Sequence, residues 1–220
     1  MGTHTPAVED YLKAIYDLSR GDDRAATSAL AERLGVSPAS VTGMAKKLAG
    51  LNLVERVPYG GVVLTGAGRR IAVETIRHHR LVETYLHEAL GVPWDRLHAE
   101  AEAWEHVLSE DLERRMDEAL GHPTHDPHGS PIPTPALELE EADWPPLARL
   151  DAGAEGTVQE VSDHDDALLR TLGEAGLYPG TAFTVTAAPP DSDTFTLRLA
   201  DGSEPTLAPE AAAYVFVSHA

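Results

Sequence analysis

The stretch from residue 28 to residue 72 alternates helical and strand patterns in an order that few folds accommodate. SALAERL at residues 28–34 has helical spacing and stops at Gly35. Ser37 and Pro38 then supply an N-cap and a first-turn proline for a helix through ASVTGMAKKLAGL. LVERV, PYGG and VVLT follow as strand, turn and strand. This order predicts a winged helix-turn-helix, an architecture typical of DNA-binding domains.

Helical spacing also flanks this stretch on both sides. Thr5 and Pro6 begin a first helix. A long helix is predicted from about Ala67 to Leu90, where Gly91, Val92 and Pro93 break the pattern. The next helix is expected to run without interruption from about Trp94 to Leu120.

The last third of the chain has a different pattern. HPTHDPHGSPIPTPALELEEADWPP is too rich in proline for regular structure, and GTVQEV, TAFTVTA, TFTLRLADG and AYVFVSHA beyond it alternate as strands do. The chain is therefore predicted to be mainly α with a small β-barrel domain. The predicted segments are a winged-helix DNA-binding domain at 1–72, a helical domain at 73–122, a linker at 123–149 and a β domain at 150–220.

Charge and composition narrow the function. The net charge is −19, yet residues 1–72 hold nine Lys and Arg against seven Asp and Glu, while the remainder holds 8 against 29. The N-terminal part can therefore still approach DNA. Cysteine is absent, which excludes thiolate metal ligands and cysteine nucleophiles. With no signal-peptide pattern and no long apolar run, we expect a cytoplasmic protein without membrane partners.

HAEAEAWEH, at residues 98–106, concentrates possible metal ligands. On one continuous helix, His98, Glu102, Glu105 and His106 would share an arc of about 100°. Ala101, Trp104, Leu108 and Leu112 form an apolar stripe beside it, which predicts that Trp104 is buried. Clustered carboxylates next to a core repel one another, and a divalent cation removes that cost.

His79 and Glu83 add a second pair of ligand type, one turn apart on the preceding helix. Imidazole and carboxylate without sulfur suit Mn²⁺, Fe²⁺, Co²⁺ or Zn²⁺. A solvated acidic face with incidental histidines is the simpler alternative. A carboxylate-bridged metalloenzyme is another, although neither HExxH nor paired ExxH motifs are present.

The winged helix, HHRLVE, HAEAEAWEHVLSEDLERR and HGSPIP, in this order, resemble the diphtheria toxin repressor and manganese transport regulator family. LYPGTAFTV and the ADG turn resemble the SH3-like, FeoA-like domain of its longer members. The resemblance implies a dimeric, metal-activated transcriptional regulator, most often a repressor of metal-homeostasis genes, and not an enzyme. It also implies an inverted-repeat operator on double-stranded DNA, with no small organic substrate.

The resemblance also assigns ligands. It places the primary metal site on Asp10, Glu102, Glu105 and His106, and the ancillary site on His79, Glu83 and His98. Iron-responsive members have methionine at the position of Asp10 and cysteine at that of Glu102, whereas manganese-responsive members have acids at both. Mn²⁺ is therefore expected, with Fe²⁺ as the alternative and other divalent transition metals binding in vitro.

Two points stay open within this resemblance. The short manganese regulators bind two ions close together, so Glu102 could bridge two ions here or serve one. In the long members the SH3-like domain lends ligands to the ancillary site, and Asp165 is the expected counterpart in SDHDDALL.

The predicted DNA-binding residues lie at the start of the third helix, ahead of the second helix and in the wing. Those expected to face bases are Ser37, Ala39, Ser40, Thr42 and Gly43. Those expected to contact phosphates are Lys46, Lys47, Arg56, Tyr59 and Arg24. A winged-helix regulator that senses something other than a metal is a further alternative, because these residues alone say nothing about the effector.

Overall fold

The computed structural model describes residues 4–19, 24–57, 61–140, 142–163 and 165–219. Contacts divide the chain into two compact units. The first comprises Met1–His79, Ala103–Arg115 and Pro133–Leu139, and the second comprises Arg80–Glu102, Met116–Ile132 and Glu140–Ala220. Within the described ranges, no helix is both long enough and apolar enough to cross a membrane.

The first unit contains the predicted winged helix. Its helices are α1 (Pro6–Leu18), α2 (Thr27–Arg33) and α3 (Pro38–Gly50), followed by the hairpin β1 (Val54–Val57) and β2 (Gly61–Leu64). The two strands pair antiparallel, and Ala25 adds an isolated bridge to Val62. Each helix contributes its apolar face to one shared core, whose fully buried side chains include Leu12, Ile15, Leu30 and Leu48. The mainly α fold with a winged helix-turn-helix is confirmed.

Local signals set the turn between α2 and α3. Gly35 has a φ of 63°, a left-handed conformation that side-chain-bearing residues rarely adopt. Ser37 then caps α3 by accepting a hydrogen bond from Ser40 N at 3.2 Å. Gly35 adopts the backbone conformation of the turn without strain and Ser37 caps the next helix, so the turn forms where the sequence predicts it.

The helices after the wing depart from the prediction in one place. Helix α4 (Gly66–Leu90) is confirmed, but the single helix expected from Trp94 to Leu120 is wrong. A short 3₁₀ turn (Trp94–Arg96) leads into α5 (Leu97–Trp104), and after a break α6 runs over Glu110–Ala119. Ser109 starts α6, since its Oγ accepts from Leu112 N at 3.3 Å. Residues 105–109 are therefore a turn and a cap.

The second unit ends in the predicted β domain. Its sheet consists of β3 (Glu155–Val161), β4 (Ala182–Ala187), β5 (Phe195–Leu199), β6 (Thr206–Leu207) and β7 (Val215–His219), with helices α7 (Asp166–Glu174) and α8 (Pro209–Ala212). The five strands pair antiparallel in the order β6-β5-β4-β3-β7. Among them, β6 and α8 are too short to leave a periodic signal in the sequence.

The linker folds over part of its length. Asp126 Oδ1 accepts hydrogen bonds from the backbone of His128 at 2.8 Å and of Ser130 at 3.0 Å, which forms a compact turn. Gly129 occupies this turn at a φ of 91°, and a Cβ there would lie 2.0 Å from the Gln159 carbonyl oxygen. Only glycine therefore allows this segment to lie directly against β3.

Candidate metal centre and DNA-binding face

Three predicted ligands come together in the first unit. Each of Asp10, Glu105 and His106 offers one possible ligand atom, and these three atoms lie within 4.8 Å of one another. Asp10 lies on α1, while Glu105 and His106 occupy the turn directly after α5. The prediction that Glu105 and His106 lie on one helical face with His98 is therefore wrong, because neither residue belongs to α5. The turn places them beside α1 instead.

His106 is held between two carboxylates of α1. Its Nδ1 lies 2.7 Å from Glu9 Oε2, and its Nε2 lies 2.7 Å from Asp10 Oδ1. Hydrogen bonds to Asp10 and, to a smaller extent, to Glu9 raise the pKa of His106 to about 9, although burial alone would lower it. A metal ion that binds Nε2 would replace this proton, and the Glu9 contact would still orient the ring.

Glu105 presents its two oxygens to different partners. Oε2 bonds to His79 Nδ1 and lies 2.8 Å from Lys13 Nζ. Oε1 is buried without a hydrogen-bond partner among the described residues, and it lies 3.5 Å from His106 Nε2. Burial alone would raise the pKa of Glu105, but His79 and Lys13 lower it. An ionised, desolvated oxygen beside Asp10 and His106 is the donor that a divalent cation requires.

A second set of contacts fixes the backbone of this turn. His78 Nδ1 lies 3.1 Å from the Glu105 carbonyl oxygen, and His78 Nε2 lies 3.2 Å from Glu113 Oε2. Arg77 also pairs with Glu113 and donates to the Pro133 carbonyl at 2.6 Å. These bonds join α4, the turn and α6, and hold Glu105 in place although it lies outside a helix.

The other predicted ligands lie in the second unit. His98 Nδ1 is 3.9 Å from Glu83 Oε1 and 3.2 Å from Asp163 Oδ2. Glu102 belongs to the same unit, and its carboxylate lies 3.7 Å from His98 Nε2. His79, which the resemblance groups with Glu83 and His98, makes the contacts described above within the first unit.

Two further buried groups approach Glu83. One ligand atom each from Glu83, Asp126 and His128 lie within 4.8 Å of one another, and all three side chains are buried. Burial, followed by the neighbouring Glu83 carboxylate, raises the pKa of Asp126. Burial alone would lower the pKa of His128, but Glu83, Asp126 and Asp163 raise it to about 9. A cation would offset this concentration of buried carboxylates.

The structure places the two aspartates of SDHDDALL nearest the expected ligand position in different roles. Asp165 is the N-cap of α7, where its Oδ1 accepts from Ala167 N at 2.8 Å and Leu168 N at 3.1 Å. Asp163, two residues earlier, is the acid beside His98. The sequence predicts Asp165, and nothing in the stretch SDHDDALL indicates that this residue caps the helix.

The DNA-binding candidates lie on an exposed face of the winged helix. Ser37, Ala39, Ser40, Thr42, Gly43, Lys46 and Lys47 are all exposed, as are Arg24 and Arg56, while Tyr59 lies outside the described residues. The hydroxyls of Ser37 and Ser40 contact each other at 2.9 Å, and Thr42 Oγ1 donates to the Pro38 carbonyl at 2.9 Å. Arg24 directly precedes Ala25, the residue that pairs with the wing.

Five residues of these clusters are not predicted by the sequence patterns. Glu9, Lys13, Asp126, His128 and Asp163 were not singled out as ligands or as partners of ligands. Glu9 and Lys13 share helix α1 with Asp10, which was the available signal. His128 belongs to the HGSPIP motif, which lies in the segment that the sequence predicts to be a linker.

Exposed apolar side chains lie before, within and after the turn that carries Glu105 and His106 in sequence. Trp104 is 40% exposed, Val107 80% and Leu112 45%. The prediction that Trp104 is buried is therefore wrong, since the helix it was assigned to ends at this residue. We call Trp104, Val107 and Leu112 the apolar patch.

Family models match the chain over most of its length. The iron dependent repressor N-terminal DNA binding domain matches residues 4–62, and the iron dependent repressor metal binding and dimerisation domain matches residues 65–134. A FeoA domain matches residues 146–219.

Individual relatives agree with these models. The iron-dependent repressor IdeR of Mycobacterium tuberculosis is 35% identical over 193 residues, covering 82% of this chain and 84% of the relative. A solved manganese-dependent transcriptional repressor in complex with manganese has a TM-score of 0.89 and 36% identity, covering 97% of this chain and 100% of that one. The manganese regulator SloR has a TM-score of 0.80 and 29% identity, covering 99% and 100%. The chain therefore belongs to the diphtheria toxin repressor and manganese transport regulator family of metal-dependent, DNA-binding transcriptional repressors.

Proposed function

We propose that this repressor responds to Mn²⁺, binds an inverted-repeat operator as a homodimer, and controls metal-homeostasis genes in the cytoplasm. The observation that most directly supports this proposal is the group formed by Asp10, Glu105 and His106. It joins α1 of the winged helix to the turn after α5, so an ion bound there would fix one relative to the other. The single buried Glu105 oxygen without a hydrogen-bond partner among the described residues supports an ion at this point.

The donor chemistry supports Mn²⁺ over softer ions. The group offers two carboxylates and one imidazole, and the chain has no cysteine. Hard oxygen donors suit Mn²⁺, while sulfur ligands select softer metals. Fe²⁺ is the alternative, because relatives named as iron-dependent repressors share about a third of the sequence.

Substituting Glu102 by cysteine tests the metal preference. If Glu102 serves the primary site, as the family resemblance implies, Glu102→Cys should shift activation of DNA binding from Mn²⁺ toward softer or later ions. Operator binding titrated separately with Mn²⁺, Fe²⁺ and Zn²⁺ measures this, with Glu100→Cys on the same helix as control. An unchanged order of metals would remove Glu102 from the selectivity argument.

A second ion is proposed for the second unit. Its ligands would come from Glu83, His98 and Asp163 together with Asp126 and His128, whose side chains surround the Glu83 carboxylate. The β domain would thereby contribute a ligand through Asp163. The assignment of His79 to this ancillary site remains a prediction.

Asp163 and Asp165 give a matched pair of variants. Asp163→Asn should lower the affinity for the second ion on the order of tenfold or more, with little change in metal-free stability. Asp165→Ala should leave metal binding unchanged but cost about 1 kcal/mol, because α7 loses its N-cap. Calorimetric Mn²⁺ titration and thermal unfolding in chelator measure the two effects. If Asp165→Ala lost the ion and Asp163→Asn kept it, the assignment would be reversed.

The apolar patch connects the metal centre to dimerisation. Trp104 and Val107 flank Glu105 and His106 directly in sequence, so these ligands and two of the three patch residues share one short segment. We propose that the patch is covered by the same patch of a second copy, as isologous homodimer interfaces require. An ion that holds α1 against this segment then sets how the two winged helices are presented. Half-sites about 34 Å apart demand such a fixed presentation.

The α3 face is proposed to read the operator. Lys46, Lys47, Arg56 and Arg24 offer exposed cations for phosphates. The hydroxyls of Ser37, Ser40 and Thr42 already have partners near the start of α3, so DNA shape would contribute to specificity alongside base contacts.

Selection of duplexes from a random pool, with Mn²⁺ and with chelator at one stated salt concentration, tests the proposal. Enrichment of an inverted repeat only with Mn²⁺ is the expected outcome. Equal enrichment in both arms would indicate a regulator that senses something other than this metal. The salt must be held constant because phosphate contacts make the affinity salt-dependent.

A further inference from the structure

Lys13 is a buried lysine inside the cluster of proposed metal ligands. Only 8% of the residue is exposed, although it lies on α1 one turn beyond Glu9. Its Nζ lies 2.8 Å from Glu105 Oε2 and 3.1 Å from His79 Nδ1. A lysine is seldom buried to this extent unless its ammonium is paired. Two side chains of metal-ligand type therefore contact its ammonium.

The two oxygens of Glu105 divide the centre into two sides. On the Oε1 side are Asp10 and His106, which together offer the donors for an ion. On the Oε2 side, a carboxylate and an imidazole would make a second ligand pair, but the Lys13 ammonium already contacts both. A bridging carboxylate that served two ions would need Oε2 for the second of them. That oxygen is already paired with a cation that the protein supplies.

We propose that Lys13 is a resident cation that takes the place of a second ion and restricts the first unit's centre to a single Mn²⁺. This inference rests on the proposed function, and it answers whether the primary site holds one ion or two. Lys13 also contributes to the site it limits, since its ammonium donates to Glu105 Oε2 at 2.8 Å and thereby orients the carboxylate. A compact ammonium suits this role because it is a point charge with three donors.

Charge reversal at Lys13 should open the second position. Lys13→Glu removes the resident cation and adds a carboxylate next to Glu105 and His79, which supplies three ligand groups for an ion on the Oε2 side. The variant should bind one more Mn²⁺ per chain than the wild type. The added ion would share Glu105 with the first, so the two spins should be exchange-coupled. Arg115→Glu makes the same charge change at an exposed position of the first unit and should bind as many ions as the wild type.

Electron paramagnetic resonance of the full chain at saturating Mn²⁺, together with counting of bound ions, tests the inference. The expected result is isolated Mn²⁺ in the wild type and in Arg115→Glu, and an exchange-coupled pair in Lys13→Glu. A coupled pair in the wild type would overturn the inference even if Lys13→Glu failed to fold. A folded Lys13→Glu protein, checked by circular dichroism, with wild-type ion number and no coupling would overturn it as well. Absence of any Mn²⁺ binding by the wild type would instead refute the proposed function itself.

Discussion

Replacing Glu105 by glutamine is expected to abolish the response of DNA binding to Mn²⁺. Glu105 is only 1% exposed and contacts both His106 and the Lys13–His79 pair. Glutamine keeps the shape but removes the charge that would hold the ion. Loss of an outer-shell partner alone weakens metal binding by about 10-fold to 100-fold, so loss of this ligand should cost on the order of 100-fold or more.

The measurement is Mn²⁺ binding by calorimetry, followed by operator affinity at fixed Mn²⁺. Glu110→Gln, an exposed charge neutralisation at the start of α6, is the matched control and should behave as the wild type. Glu105→Gln should also lower the unfolding temperature in chelator, because the buried Lys13 loses the ion pair with Glu105. A folded variant that retained wild-type Mn²⁺ affinity would exclude Glu105 as a ligand.

Placing a charge in the apolar patch is expected to separate the dimer and thereby remove operator binding. Val107 is 80% exposed in the single chain, so Val107→Glu should leave the fold of that chain intact. In the proposed dimer the same side chain is covered, and two unpaired carboxylates would be desolvated near each other. Dimer dissociation should increase on the order of 100-fold, equivalent to about 3 kcal/mol.

Sedimentation velocity across a concentration series and operator binding in Mn²⁺ measure this effect. Tyr214→Glu is the control, since Tyr214 is 52% exposed in the β domain and lies outside the proposed interface. The variant should keep its Mn²⁺ affinity, because Val107 contributes no ligand atom. A Val107→Glu protein that remained dimeric would place the interface elsewhere.

The winged helix could be predicted because its signals are local. Gly35 supplies the left-handed turn and Ser37 the cap, and both act within a few residues of their own position. The break after Trp104 could not be predicted, because the turn there contains neither glycine nor proline. It depends on the Ser109 cap and on His78, which contacts the Glu105 carbonyl from another helix.

The candidate site could be predicted only in part, because only some of its signals are local. Glu105 and His106 belong to a recognisable motif, but a turn, and not a shared helical face, places them beside Asp10. Lys13 contacts Glu105 across 92 positions of sequence, and no periodicity reports such a partner. Asp163 and Asp165 differ only in which of them caps α7, a choice made by the backbone geometry at that helix start.

The coupling between metal and DNA is the central claim, and reciprocal titration tests it most directly. Mn²⁺ affinity is measured for the protein alone and for its complex with the selected operator, and operator affinity is measured with and without Mn²⁺. If the ion stabilises the DNA-binding arrangement, both comparisons must yield the same factor, expected to be on the order of 10-fold to 100-fold. Equal Mn²⁺ affinity with and without operator would contradict the account, because a ligand that binds both states equally shifts neither.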